Sequence, residues 1–377
     1  MFKIILLTIG LCLPLFAFAD IDSTTAAYIQ YRLNDGESAA EIGIGTSARF
    51  SEYADVRTII SLNADGHDDR ARINIGLLDL HNSKQNYGLR IGRIQHELGF
   101  YTSQLNWAPA RDLYLAPQGI YRENFRYMLR SGDGVQAYYK FNISDVAQLS
   151  TELSYTKPVL YPMEDIVKVW GNIGGELNNS ESTSRGINVV LDLPKLNTTF
   201  RYDQQQLNYE IQKTILGGVF NGAINTRGNY LGGRTELSDT VDVTYEYIIV
   251  QKYGSTYDTL AKFAESRGAD FTKENAVGYG LSGSWQIVPE FKLIAGYSAF
   301  FPNPSDKDGS KMSSVTGIPA HNYYMKDTFI GGKYRKDKWI STLEYHYMDG
   351  TATLSLKDSL EKGDHHNRII FTITRMF

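Results

Sequence analysis

The sequence predicts an all-β fold: a transmembrane antiparallel up-and-down β-barrel of about sixteen strands, with a long loop after the fifth strand. Three observations predict it. Apolar and polar residues alternate with period two along almost the whole chain. The alternating segments are about ten residues long, the length a tilted strand needs to cross a bilayer and well above the soluble average. The connections between them are short on one side and long on the other.

The N-terminus reads as an export signal. Lys3 is followed by an apolar stretch from Ile4 to Phe16, broken at Thr8, Gly10 and Pro14. Ala17-Phe18-Ala19 has the small-x-small pattern of a cleavage site, so residues 1–19 are read as signal peptide and 20–377 as one barrel domain. Cys12 is the only cysteine and leaves with the signal. Leu11 before it is too bulky for a lipidation site. A disulfide framework and cysteine metal sites are thereby excluded. One of the 38 Lys and Arg and none of the 42 acids is removed, so the formal charge passes from −4 to −5. That near-neutral balance gives no reason to expect nucleic acid as a partner. Tyr (26) and Gly (34) are common and Pro (10) is scarce. Mean hydropathy is −0.31 and no long apolar run follows the signal, which excludes a helical membrane protein. A barrel hides its apolar surface in alternation and is compatible with both.

The alternation is plainest from Ala40 to Phe50, where even positions are apolar or Thr and odd ones charged or small. Ala71, Ile73, Ile75 and Leu77 alternate with Arg70, Arg72, Asn74 and Gly76. Val241 to Ile249, Val277 to Ile287 and Phe291 to Tyr297 read the same way. Sixteen segments emerge, near 24–33, 40–50, 53–63, 70–80, 86–95, 134–142, 147–156, 184–192, 197–208, 229–238, 241–252, 276–287, 290–300, 326–335, 338–348 and 367–377. The turns after even segments are short, among them Ser51-Glu52, Asp239-Thr240 and Lys336-Asp337. Those after most odd segments are long: 96–133, 157–183, 209–228, 253–275, 301–325 and 349–366. That asymmetry belongs to outer-membrane barrels, and an even count puts both termini on the short-turn, periplasmic side.

With these features the chain resembles Gram-negative outer-membrane porins over its mature length. The last strand, Ile369-Ile370-Phe371-Thr372-Ile373-Thr374-Arg375-Met376-Phe377, ends on Phe as porins do, although Arg375 departs from the hydrophobic residue expected there. The resemblance implies recognition of Phe377 by the barrel-assembly machinery, residence among outer-membrane lipids and lipopolysaccharide, and a homotrimer. It also implies that the long loop after strand five is folded inward and narrows the lumen. The stretches Leu89 to Arg93, Leu98 to Tyr101, Arg111-Asp112 and Pro117 to Tyr121 are similar to a loop segment of porin-like proteins.

By parity, Arg49, Arg57, Arg70, Arg72, Arg90 and Lys140 point into the lumen, with Glu41 and Asp55 as the fewer acids. The later strands are mixed, Arg201, Arg234, Lys292, Lys333 and Arg335 against Glu152, Asp203, Glu236, Asp242, Glu246 and Glu344. The loop carries Glu97, Asp112 and Glu123 and also Arg111, Arg122, Arg126 and Arg130, with Phe100, Tyr101, Trp107, Tyr114 and Tyr121 as anchors. The pore reading sets Asp112 and Glu123 against the arginine wall, a transverse field for small polar or charged solutes. The structural alternative is that these charges pair among themselves. Asp306-Lys307-Asp308-Gly309-Ser310 and Asn63 to Asp69 look faintly like calcium loops but lack the distal Glu, and His365-His366 would point opposite ways. No cofactor or metal is implied. The alternatives to a pore are a barrel enzyme of phospholipase or protease type, for which Gly280-Leu281-Ser282-Gly283 and His346 are the nearest candidates, and an adhesin or phage receptor on the long loops.

Overall fold

The computed structural model describes residues 22–34, 37–64, 71–105, 107–122, 131–158, 176–177, 182–215, 218–253, 275–352 and 363–377. Its strands are β1 (Asp22–Asn34), β2 (Glu37–Ser51), β3 (Ala54–Ala64), β4 (Ala71–His81), β5 (Tyr87–Gln95), β6 (Ser131–Ser144), β7 (Ala147–Pro158), β8 (Glu176–Leu177), β9 (Ser182–Leu193), β10 (Thr198–Ile215), β11 (Gly218–Ser238), β12 (Val241–Tyr253), β13 (Ala276–Val288), β14 (Phe291–Phe301), β15 (Met325–Lys336), β16 (Trp339–Gly350) and β17 (His365–Met376). The two-residue β8 only pairs with Lys213 and Thr214 of β10. The other sixteen form the wall, each antiparallel to the next, and coincide with the sixteen segments read from the alternation. β1 closes on β17, from Tyr28 opposite Met376 to Asn34 opposite Ile370, so the sheet has no free edge. Short helices α1 (Thr102–Leu105) and α2 (Ser310–Thr316) lie in two of the long connections.

Alternation decides which face each residue takes. Ile29, Ile42, Leu89, Leu153, Leu231, Leu281, Leu343 and Ile369 are exposed on the outside. Tyr87, Phe141, Trp285, Tyr334 and Trp339 ring the short-turn end, and Tyr155, Tyr253, Tyr279 and Tyr347 the long-loop end. Such an apolar belt between aromatic girdles is stable only in lipid. Arg375 does not break the belt, because its guanidinium lies 5.2 Å from the Trp339 ring centroid and 5.3 Å from that of Phe377. Three short turns are built alike. Ser51, Ser144 and Ser238 each accept the backbone N–H two residues on, at 3.1, 3.2 and 3.3 Å, beside a one-residue register shift.

Two details depart from the sequence reading. The register shifts between Ile59 and Ile60, leaving Asn74 as the extra residue of β4. Below this bulge the faces exchange. Leu77 is opposite Arg57 while Leu78 and Leu80 are exposed outside, and Asp79 turns inward. The segment 209–228, read as a loop, instead continues β10 and β11 as a paired hairpin up to Ile215 opposite Gly218. Those strands run to 18 and 21 residues, well past the roughly ten that a bilayer crossing needs, so lipid does not select for alternation along their whole length. The signal peptide, Arg70, Glu123, Arg126, Arg130 and most of Asn63 to Asp69 lie outside the described residues.

Candidate functional site

The loop after β5 enters the lumen and lies along the wall. Its course is set by wall side chains that accept its backbone amides. Gly99 N donates to Asp203 Oδ2 (2.7 Å), Tyr114 N and Leu115 N to the two oxygens of Glu344 (2.6 and 3.2 Å), Gln118 N to Asp327 Oδ2 (3.2 Å) and Gly119 N to Ser298 Oγ (2.9 Å). An extended peptide with no sheet partner needs acceptors for its amides, and inward carboxylates supply them. Side chains add to the seat. Arg111 makes a bidentate pair with Glu41 at 3.1 Å, Trp107 meets Tyr28 edge-on at 4.8 Å, and Tyr121 hydrogen-bonds Glu246. The turn of chain at 117–121 is so close to the wall that a Cβ on Gly278 would fall inside contact with the carbonyl oxygen of Gly119.

Apolar burial completes the seat. Leu98, Leu115 and Ile120 of the loop pack with inward Tyr230, Ile248, Val250, Ala276, Phe300, Met325, Met348 and Ile370. Each of the three loop side chains contributes about 2 kcal/mol by leaving water. A hydrophobic core thus forms inside the barrel, against β11 to β17. The parity reading of charged walls did not reveal it. Its signal was the set of apolar residues at inward positions near the long-loop ends of those strands, which break the alternation.

The lumen therefore has two unlike sides. Along β11 to β17, inward Thr244, Glu246, Ser282, Ser298, Asp327, Glu344 and Thr372 are all buried. Along β2, β3 and β6, Arg49, Arg57, Lys140 and Asn142 remain exposed inside the barrel. Of the expected arginine wall, Arg49 pairs with Asp55 at 3.3 Å, and Arg90 with Asp79 (3.2 Å) and Glu152 (3.0 Å). Arg57 has no ion pair among the described residues, and Arg72 stands opposite Ser61 in β4. Among the described residues, the loop acids Asp112 and Glu97 have other partners than these arginines. Asp112 is held by Lys292 (2.9 Å) and Lys333 (3.3 Å) of β14 and β15, and Glu97 by Arg201 of β10 (2.9 Å). The correction has a simple cause. The loop crosses to the Glu41 side and returns along β16, β15 and β14, which carries Asp112 to the lysines. Burial pushes the Asp112 carboxyl up, but Lys292 and then Lys333 outweigh it and leave it below its ordinary value.

Among the described residues, the remaining candidates are not assembled into sites. Asp306 spends both carboxylate oxygens on the N–H groups of Lys311 (3.1 Å) and Met312 (2.8 Å) at the start of α2, which makes it a helix cap. His346 faces Asp327 at 2.9 Å and Glu344 at 3.6 Å, and Ser282 of β13 is not one of that imidazole's hydrogen-bond or ion-pair partners within the described residues. His365 stacks on Tyr347 and lies 3.4 Å from Asp349.

The root of the loop carries a pH dependence. The His96 ring is buried, with Nε2 2.6 Å from Thr156 Oγ1, and burial lowers its pKa to about 4. A released loop would titrate near the ordinary value of ~6.5. Protonation therefore favours release. The seat is unaffected above pH ~6.5, weakens as pH falls from there to about 4, and has then lost about 3 kcal/mol. Current noise from single barrels should grow through that window, and His96→Gln should flatten the dependence. Equal noise for both proteins at pH 7 and pH 4.5 would show that His96 does not tie down the loop.

No family model matches the chain, and no curated protein matches it in sequence. Solved structures match it in fold. OmpT from Vibrio cholerae, as a loop deletion mutant of this outer membrane protein, superposes with a TM-score of 0.58 at 9% identity, covering 95% of this chain and 100% of that one. OmpF from Salmonella typhi, in complex with daunomycin, gives 0.54 at 11% identity over 95% and 97%. An anion-selective porin from Comamonas acidovorans gives 0.52 at 9% identity over 95% and 100%. At these identities the likeness is one of architecture. With the lipid-facing belt it establishes the chain as a closed sixteen-stranded β-barrel of porin-like architecture.

Proposed function

We propose that this barrel is a channel for passive diffusion of small polar or charged solutes, and not an enzyme. The observation that carries the reading is the division of the lumen. The loop seals β11 to β17 with a dry core, while Arg49, Arg57, Lys140 and Asn142 on β2, β3 and β6 keep their exposure to internal water. Solutes would pass along that side, beneath Arg90, Glu152 and Glu97. An enzyme of the barrel type needs an activated nucleophile, and His346 faces two carboxylates instead. We further propose export through the signal of residues 1–19, targeting by Phe377 and assembly as a homotrimer. The face of β2 and β3 supports the last point. Its outward Ile42, Ile44, Thr46, Val56, Thr58 and Ile60 present flat, small or branched side chains.

Planar-bilayer recording tests the reading. Purified barrels should show stepwise conductance in salt, and liposomes containing them should swell in small sugars. The same preparation should sediment at three chain masses. Sealed liposomes without conductance steps would overturn the channel, and a single chain mass the trimer.

A further inference from the structure

The open side of the lumen has two levels of opposite charge. At mid-height, among the described residues, Asp79 of β4, Glu152 of β7, Asp203 of β10 and Glu97 of the loop root meet only two guanidiniums, Arg90 and Arg201. The contacts run continuously around the wall. Arg90 donates to Asp79 (3.2 Å), Glu152 (3.0 Å) and Gln136 (2.8 Å), and Arg201 to Asp203 (2.6 Å) and Glu97 (2.9 Å). Asn188 of β9 joins the two halves. It lies opposite Glu152, and its amide donates to the Glu97 carbonyl (2.8 Å) and to Asp203 (2.7 Å). Four carboxylates against two guanidiniums leave a surplus of negative charge. Asp79 and Asp203 are buried, whereas the side chains of Glu97 and Glu152 are 32% and 20% exposed, so these two present the surplus to the lumen.

Toward the short turns the sign reverses. Arg57 and Lys140 are exposed inside the barrel and have no ion pair among the described residues. Their strand partners, Ser47 and Leu77 for Arg57 and Ser150 for Lys140, carry no charge. Arg49 pairs with Asp55, but that acid is buried while the guanidinium is 54% exposed, so a solute meets the cation. Lys140 lies two residues below Tyr138, which stands opposite Glu152. Lys140 is therefore a diagonal neighbour of Glu152 on the inner face, about 7 Å away. A solute beside this wall meets negative charge above and positive charge below at that spacing. A plain anion gains only at the lower level and a plain cation only at the upper one, and each is repelled at the other. A zwitterion gains at both when its charges are about as far apart as the levels. A single α-amino acid is too short, whereas two residues of extended peptide span about 7 Å.

We propose that the open side of the lumen is a subsite for zwitterionic dipeptides, with the amine on Glu97 and Glu152 and the carboxylate on Lys140 and Arg57. The inference rests on the channel reading and gives it a solute class. Ser150 is half-buried on the inner face, between Glu152 and the level of Lys140, where it can hydrogen-bond the single peptide group. Each end of the solute makes a solvated ion pair, so binding is weak and reversible, as transit requires.

The test is interruption of the potassium chloride current through single barrels by added peptide. Glycylglycine should interrupt it at a concentration about fivefold lower than N-acetylglycylglycine, which lacks the amine charge, and than glycylglycinamide, which lacks the carboxylate. Glycine and tetraglycine, too short and too long for the two levels, should be weaker than glycylglycine. Glu97→Gln should abolish the advantage over the acetylated peptide, and Lys140→Gln the advantage over the amide. If Glu97→Gln fails to fold, as judged by heat-modifiable migration, Lys140→Gln alone carries the comparison. Barrels that pass no current would overturn the channel reading and this proposal with it. Conducting barrels that treat the three dipeptides alike, that favour either end-blocked peptide, or whose preference survives Lys140→Gln would overturn this proposal alone.

Discussion

Gly278→Val is expected to unseat the loop and raise single-channel conductance severalfold while leaving the barrel wall intact. Gly278 points inward from β13, and its Cα faces the carbonyl of Gly119 with Ile248 beside it. A side chain there cannot be accommodated by rotamer change, because the obstructing atoms are loop backbone. Gly119 is itself trapped, since its far side rests on the backbone of Ala299 in β14. The loop must lift, and overpacking of this kind costs about 3 kcal/mol. Lifting also removes the bond from Gly119 N to Ser298 and draws Ile120 out of its core. Nothing in the β12–β13–β14 ladder is altered, so heat-modifiable migration should stay normal. A lumen of sixteen strands without its inner loop is a wide aqueous channel. Unchanged conductance, with the substitution verified and the barrel folded, would mean that the loop is not seated on Gly278 in the membrane.

The wall of this barrel is legible in the sequence because the two solvents on its faces impose a strict rule. Between Ala40 and Phe50 each residue declares its side, and the inward directions of Arg49, Arg57 and Arg90 follow. The rule weakens where its cause weakens. Tyr209 to Arg227 extends past the length that a bilayer crossing needs, so lipid does not select one face, and a paired hairpin there reads as loop. A single bulged residue, Asn74, exchanges the faces of half a strand without leaving any compositional mark, and hides Asp79 as the partner of Arg90. The loop is less legible still. Parity says that a residue points inward, and it does not say which strands a peptide inside the lumen will touch. Parity therefore sets Asp112 against the arginines, whereas its partners are Lys292 and Lys333. Glu344, Asp327 and Asp203 read as lumenal charges, and their role as acceptors for loop amides depends on a path set by packing.

Glu344→Ala is expected to release the middle of that loop. The carboxylate accepts from two consecutive loop amides, Tyr114 N and Leu115 N, and its Oε2 stands 3.6 Å from His346 Nε2. Truncation leaves two buried N–H groups without acceptors, at about 1–3 kcal/mol each, and opens a void beside a fully buried imidazole. The loop escapes this cost by leaving the wall, and its neighbours go with it: Asp112 parts from Lys292 and Lys333, and Arg111 from Glu41. Arg111 is only 4% exposed when seated, so trypsin should spare the bond after it in the wild type and cut it in the variant. Glu344→Gln keeps one carbonyl oxygen for one of the two amides and should be cut at an intermediate rate, an order that simple loss of charge would not produce. The freed lysines of β14 and β15 would face internal water without their counterion, so the reversal potential in a salt gradient should move toward anions as cleavage becomes possible. A Glu344→Ala barrel that resists trypsin at Arg111 and keeps the wild-type reversal potential would show that the apolar contacts of Leu98, Leu115 and Ile120 hold the loop without the carboxylate.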